Sequence, residues 1–148
     1  MNTNVTNTVA VSIDSEEVFA RCTNETLYQA YSRAEVNPRG DAVVMHDDDK
    51  DMFEQYYAVA LAELGMLLAK RMSDTADYAS GTFNVMMHED VSETIGGILK
   101  THCLEFVVRK VLEQWYRADF GSEMEKLEIK HCLHYRRKPV RRRFGPLF

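Results

Sequence analysis

Cysteine and histidine side chains adjoin at two places in the sequence, where they could bind a metal. His102 precedes Cys103, and His131, Cys132 and His134 form a second group. Thiolate and imidazole are preferred zinc ligands, but neither spacing matches a common zinc-binding frame. Adjacent residues of a helix also point about 100° apart, so His102 and Cys103 cannot easily share one ion. We expect the cysteines to fill the core and the histidines to lie at its margin, with no metal bound. A zinc module built on His131, Cys132 and His134 is the least favoured alternative.

The sequence contains none of the common catalytic or cation-binding motifs that would indicate an enzyme. The chain has no G-x-S-x-G, no glycine-rich phosphate loop and no H-E-x-x-H. The aspartates that begin at Asp47 fail as an EF-hand loop, because the sixth position is Met52 instead of glycine and the twelfth is Ala58 instead of glutamate. The sequence therefore predicts a protein that is not an enzyme and that needs no cofactor.

The last 13 residues are strongly basic and end in apolar side chains. We call this segment the C-terminal arm; its candidate partner-binding residues are Arg136, Arg137, Lys138, Arg141, Arg142, Arg143, Phe144, Leu147 and Phe148. Basic side chains would steer the arm to an acidic partner, and the aromatic and leucine side chains would be buried there and slow its release. A solvated tail would not need the apolar residues. Nucleic acid is the rival ligand, because arginines neutralise phosphates.

Charge is divided unevenly along the chain. The whole protein has 18 basic and 23 acidic side chains, so its net charge is −5. Residues 1–135 hold 12 of the basic and all 23 of the acidic groups, a net charge of −11, whereas the arm carries +6. An acidic body repels DNA, and an acidic body with a basic arm can also associate head-to-tail with its own copies and close into a ring.

Length and composition indicate one folded domain. The 148 residues are 45% hydrophobic and 28% charged, which is typical of a globular protein. We expect a single mostly helical domain over residues 1–135, followed by the arm at 136–148. No apolar stretch approaches the roughly 20 residues that cross a bilayer, and the polar N-terminus does not resemble a secretory signal, so we expect no membrane association and an intracellular chain. Cys22, Cys103 and Cys132 are an odd number without a C-x-x-C pair, which favours reduced thiols.

Hydrophobic periodicity predicts the elements of the first half. Residues 4–13 alternate apolar and polar, as in an edge strand or an extended N-terminal arm. Asp14 has the character of an N-cap for a helix that a second cap signal at Thr23 and Asn24 could divide, and Pro38 and Gly40 end it. A strand-like fragment covers residues 42–45. The clearest helix runs from about Asp49 to Met72, with acidic residues at its start and basic residues at its end.

The second half is predicted to contain an extended segment and two helices. Residues 78–88 alternate after a Ser80-Gly81 turn, and a long helix runs from Ser92 to about Ala118. Its two early glycines, Gly96 and Gly97, suggest a close helix crossing or a flexible start. Residues 123–137 fit either a helix or a strand, and the cap residue Ser122 favours a helix. The predicted fold class is mainly α, a helical bundle with a small β element (the N-terminal arm at 1–13 and a strand or hairpin near 76–88) and an extended C-terminal arm.

This order of elements is similar to that of a family of phage proteins. An acidic capped helix precedes an extended segment ending near Met87, the long helix ends in Val-Leu-Glu-Gln-Trp-Tyr (residues 111–116), and the final segment leads into the arginine-rich arm. Over about residues 48–143 the chain resembles the head–tail connector proteins (adaptors or head-completion proteins) of tailed bacteriophages, especially those of gut Bacteroidetes.

The resemblance implies a structural protein of the virion neck, assembled in the cytoplasm of the bacterial host. It implies a ring, commonly of twelve copies, that lies between the portal protein and a downstream neck or tail protein, with the arm docked on the portal. Combining it with the charges, we expect Trp115 and Tyr116 to support the exit of the arm from the core. We also expect acidic side chains to line a channel for passing DNA, a cargo that is not specifically bound. The alternative is a small DNA-binding or regulatory protein that uses the same arginines.

Overall fold

Four α-helices and one small antiparallel sheet make up the fold. The computed structural model describes residues 6–32, 44–72, 80–88 and 92–135, and the side chains of residues 6 and 7 lie outside that description. The elements in chain order are β1 (Thr6–Ser12), α1 (Ser15–Ser32), α2 (Lys50–Leu68), β2 (Thr82–His88), α3 (Glu93–Tyr116) and α4 (Ser122–Leu133). Single 3-10 turns at Asp47–Asp49 and Ala69–Arg71 flank α2. The predicted mainly helical fold class with a small β element is confirmed.

The sheet joins two strands that are distant in the sequence. Thr6 pairs with His88 and Ser12 with Thr82, so β1 and β2 are antiparallel throughout. Val11 of β1 is buried and Val9 is half-buried, and Phe83, Val85 and Met87 of β2 are buried on the same side. This alternation is what a sheet with one face on a core requires. The two extended segments were expected, and the structure shows that they pair with each other.

Helix α3 is the central element, because the other helices and β1 pack around it. Helix α2 runs antiparallel to it: the Gln114 side chain donates a hydrogen bond to the Tyr56 carbonyl at 2.9 Å, and Lys110 pairs with Glu63 at 3.2 Å. The buried side chains Leu99, Cys103, Phe106, Val107 and Val111 form its core face. A close approach was expected at the two early glycines of α3. It occurs at Gly96, where a Cβ atom would lie 3.3 Å from Val9, and the neighbour is the strand β1 instead of a helix.

Two local predictions for the first half need correction. Helix α1 runs unbroken through Thr23 and Asn24, and within it the buried Thr26 hydroxyl donates to the Thr23 carbonyl at 2.9 Å. The same Thr26 hydroxyl accepts from the backbone N–H of Met45 at 2.9 Å. Residues 44 and 45 belong to no strand, and the rest of the strand predicted at 42–45 lies outside the described residues. The predicted helix end at Pro38 and Gly40 also lies outside them.

The ambiguous last segment is a helix. Ser122, Ile129, Cys132 and Leu133 are buried, a spacing that fits one helical face and does not fit the alternation of a strand. The predicted cap is one residue off, because the N-cap of α4 is Gly121, in the left-handed region at φ +87°, and Ser122 is the first residue of the helix.

Candidate functional site: the base of the C-terminal arm

The candidate partner-binding residues, from Arg136 to Phe148, all lie outside the described residues. The structure does show the residues that precede the arm. Helix α4 ends at Leu133, and the described chain stops two residues later at Tyr135. We call the surroundings of Tyr135 the base of the arm.

A shallow groove of about 370 Å³ lies at this base. Its lining residues are Lys70, Arg71, Met86, Met87, His88, His134 and Tyr135. Three separate elements bring them together, namely the 3-10 turn after α2, the end of β2 and the end of α4. The turn is fixed against the sheet because Met72, the next residue, forms an isolated antiparallel bridge with Val85.

The groove adds positive charge where the basic arm begins. Lys70 and Arg71 contribute two cationic groups, and His88 and His134 add imidazoles that can form hydrogen bonds. From the sequence, Lys70 and Arg71 are expected only at the end of a helix, where basic side chains interact favourably with the helix dipole. Their position beside Tyr135 depends on the antiparallel packing of α2 and α4 on α3, a long-range property that no local pattern reveals. The arrangement suits an anionic protein surface or a phosphate backbone.

A network of charged side chains holds α4, the helix that carries the arm, against α3. Glu125 of α4 accepts from His102 Nδ1 at 2.6 Å and pairs with Arg109 Nε at 3.4 Å. Arg109 also lies 3.6 Å from Glu105, which in turn binds Arg21 of α1 at 2.6 Å. Side-chain exposures run from 13% for Glu125 to 40% for Arg21. The network thus links three helices at a partly shielded interface and fixes the position of α4.

Glu113 fixes the other end of α4. Its carboxylate accepts hydrogen bonds from the backbone N–H groups of Phe120 and Ser122 at 3.1 and 3.0 Å, and from the Ser122 hydroxyl at 2.8 Å. Free N–H groups at a helix start need an acceptor, and a carboxylate is a favourable one. Glu113 on α3 therefore does the capping that was expected of Ser122.

The expected support of the arm by Trp115 and Tyr116 stays a prediction, because residues 136–148 lie outside the described residues. Both residues lie at the C-terminal end of α3, next to the loop that leads into α4, and Tyr116 stacks on Phe120 at 4.8 Å. Helix α4 runs back along α3, from Ser122 beside Glu113 to Glu125 beside His102, so its last residues lie away from the C-terminal end of α3. Neither aromatic residue is among the described residues that line the groove beside Tyr135.

The cysteines lie in the core, as expected. Cys22, Cys103 and Cys132 are free and buried, and burial raises the pKa of Cys22 to about 12 and that of Cys103 further. His131 and His134 are exposed, so they do not converge with the buried Cys132. Within the described ranges, no group of three histidine, cysteine or acidic side chains is arranged to hold a metal ion.

Comparisons with protein-family models, with curated proteins and with solved structures found no match to this chain. None of the helices in the part of the chain that the structure describes is long and apolar enough to cross a membrane.

Proposed function

We propose that this protein is a structural subunit of a phage neck, a head–tail connector that forms a ring between portal and tail. Its C-terminal arm, Arg136 to Phe148, docks on the portal protein, while the acidic body faces passing DNA without binding it tightly. The resemblance over residues 48–143 suggests this class of protein. On this proposal the protein resides in the virion neck and contacts its own copies, the portal and the next neck or tail protein.

One observation carries the proposal: the basic arm begins beside a groove that is itself basic. Lys70 and Arg71 line the groove together with Tyr135, the residue that precedes the six cationic residues of the arm in the sequence. Basic residues that adjoin the start of a basic segment favour a defined docking site for an acidic partner over a tail that only increases solubility. The network around Arg109 and Glu125 supports the same idea, because it fixes the helix from which the arm departs.

Truncation tests the arm directly. We would mix the full chain, and a chain ending at Tyr135, with the portal protein encoded in the same gene cluster, and measure the complexes by native mass spectrometry. The proposal expects a portal complex for the full chain and none for the truncated chain. A truncated chain that binds the portal as tightly as the full chain would refute the docking role of the arm.

The groove is tested separately by Arg71→Glu. Lys130→Glu is the matched control, because it makes the same change of charge on an exposed position of α4. Charge reversal at a binding surface slows association and weakens binding, here on the order of tenfold. Equal portal affinity of the two variants would show that the groove takes no part in docking.

DNA binding is the second candidate function, and the cationic groove favours it as well. A DNA-binding arm predicts that the full chain shifts a duplex at low salt and that log affinity falls linearly with log salt. The same preparations of full and truncated chain serve for this test. A salt-sensitive duplex shift that needs the arm, together with no portal complex, would replace the connector proposal by DNA binding.

A further inference from the structure

Helix α2 is apolar on two opposite faces. One face is in the core, where Phe53, Tyr57, Leu64 and Leu68 are buried. The other carries a row of uncharged residues that we call the outer stripe: Met52, Gln55, Val59, Ala62 and Met66 of α2, continued by Ala69 of the following 3-10 turn. A surface helix of a monomer normally places polar residues opposite its core face, and a helix that is apolar all round is normally buried.

The outer stripe is open in the structure. Met66 is 72% exposed, Met52 46% and Val59 45%. No residue of the stripe bears a formal charge. Glu63, on one side of the stripe, is drawn towards α3 by its ion pair with Lys110 at 3.2 Å. The stripe itself is uncharged between Asp51 and Lys70 at its two ends, and an exposed apolar surface of this kind marks interaction sites.

The spacing of the stripe indicates that its partner is another helix. Met52, Val59 and Met66 are seven residues apart, and so are Gln55, Ala62 and Ala69. This is the a and d pattern by which two helices pack along a seam. The small side chains at Ala62 and Ala69 let two backbones approach closely. The seam extends about 26 Å, from Met52 to Ala69.

The charges at the two ends of α2 select the orientation. Asp47, Asp48, Asp49 and Asp51 lie at its start, and the exposed Lys70 lies at its end, next to the partly buried Arg71 of the groove. Two parallel copies would bring acidic ends together and basic ends together. Two antiparallel copies bring the acidic start of one helix beside the basic end of the other, and their helix dipoles also oppose each other.

We propose that two copies of this chain associate through the outer stripe, with the α2 helices antiparallel and a two-fold axis between Val59 and Ala62. Such an isologous contact uses the same patch on both partners. It concerns the free protein in solution and does not depend on the proposed neck function. A cyclic ring requires heterologous contacts instead, so the dimer and the ring are distinct assemblies.

Sedimentation equilibrium of the full chain, from roughly 1 to 300 µM, tests for the dimer, because a single helix seam is a small interface with modest affinity. Met66→Glu places a charge in the seam of both partners and should raise the dissociation constant at least about 30-fold. Met124→Glu is the matched control, because Met124 is a 62% exposed methionine on α4. Circular dichroism verifies that both variants are folded. A monomeric parent chain, or equal weakening by both variants, would overturn the proposal.

Disulfide trapping tests the orientation. Met52→Cys mixed with Ala69→Cys should form a mixed disulfide dimer, because these positions face each other in the antiparallel pair. Met52→Cys alone should not cross-link, because its two copies lie about 25 Å apart. Efficient self-cross-linking of Met52→Cys would show parallel helices and refute the model. Recovery of a dimer only after truncation at Tyr135 would also refute it, since the arm of the same chain would then be the occupant of the stripe.

Discussion

Replacing Glu113 by alanine is expected to destabilise the protein by about 3 kcal/mol. The carboxylate accepts three hydrogen bonds from Phe120 and Ser122, and each hydrogen bond to a charged group contributes about 1 kcal/mol when the site is partly open to water. The Glu113 side chain is 17% exposed, so water can replace only part of what is lost. For a chain of this size the melting temperature should fall by about 6–12 °C. Urea unfolding followed by circular dichroism at 222 nm measures the change, since the midpoint moves while the slope is unchanged.

Two further variants distinguish hydrogen bonding from charge. Glu113→Gln keeps one oxygen for the two backbone N–H groups and can donate to the Ser122 hydroxyl, so it should cost only about 1 kcal/mol. Glu123→Ala removes a carboxylate that is 77% exposed and should change stability by less than about 0.5 kcal/mol. A cost for Glu113→Ala no larger than that for Glu123→Ala would refute the capping role, and equal costs for alanine and glutamine would assign the effect to charge.

Three other perturbations have definite expected outcomes. Gly81→Ala should lower the free energy of unfolding in urea by about 2–4 kcal/mol, because φ is +75° and a Cβ atom would lie 2.6 Å from the Ile13 carbonyl oxygen. Gly97→Ala should raise it by up to about 1 kcal/mol, because a Cβ atom there would meet nothing within 4 Å. Burial raises the pKa of Tyr57 to about 12, so the folded state holds this proton more tightly than the unfolded chain. The free energy of unfolding should therefore fall by up to about 2 kcal/mol between about pH 10 and 12. The Tyr57→Phe variant should not show this loss. Burial also raises the thiol pKa of Cys22 to about 12. Cys22 should therefore react with Ellman's reagent at pH 8 only after urea is added. Rapid reaction in native buffer would contradict its burial.

Local patterns predicted the helices and extended segments, because each pattern depends only on residues that are close together in the sequence. Lys50–Leu68 and Glu93–Tyr116 lie inside their predicted ranges, since apolar spacing and end charges are local signals. The pairing of β1 with β2 could not be predicted. An alternation of apolar and polar residues indicates a strand with one buried face, but it does not indicate which strand pairs with it. The α4 cap was missed for the same reason: Glu113 is on another helix, and only tertiary packing brings it to Ser122.

The candidate site divides in the same way. The basic arm is visible in the sequence as a run of charge, and it stays a prediction, because its residues are outside the described ranges. The contribution of Lys70 and Arg71 depends on helix directions, which no local pattern reveals. The position of Trp115 and Tyr116 depends on them too, because these residues end α3 shortly before α4 begins and turns back along it.

The pairing of β1 with β2 also has a consequence for the synthesis of the chain. Thr6 leaves the ribosome long before His88, its partner in the sheet. At about 5–20 residues per second, the roughly 80 intervening residues take about 4–16 s, whereas helices form in about a microsecond or less. During that interval Val9 and Val11, on the inner face of β1, lack the strand that later pairs with them. A nascent chain that stalls before β2 is complete therefore exposes an unpaired strand, a substrate for chaperones or a seed for aggregation.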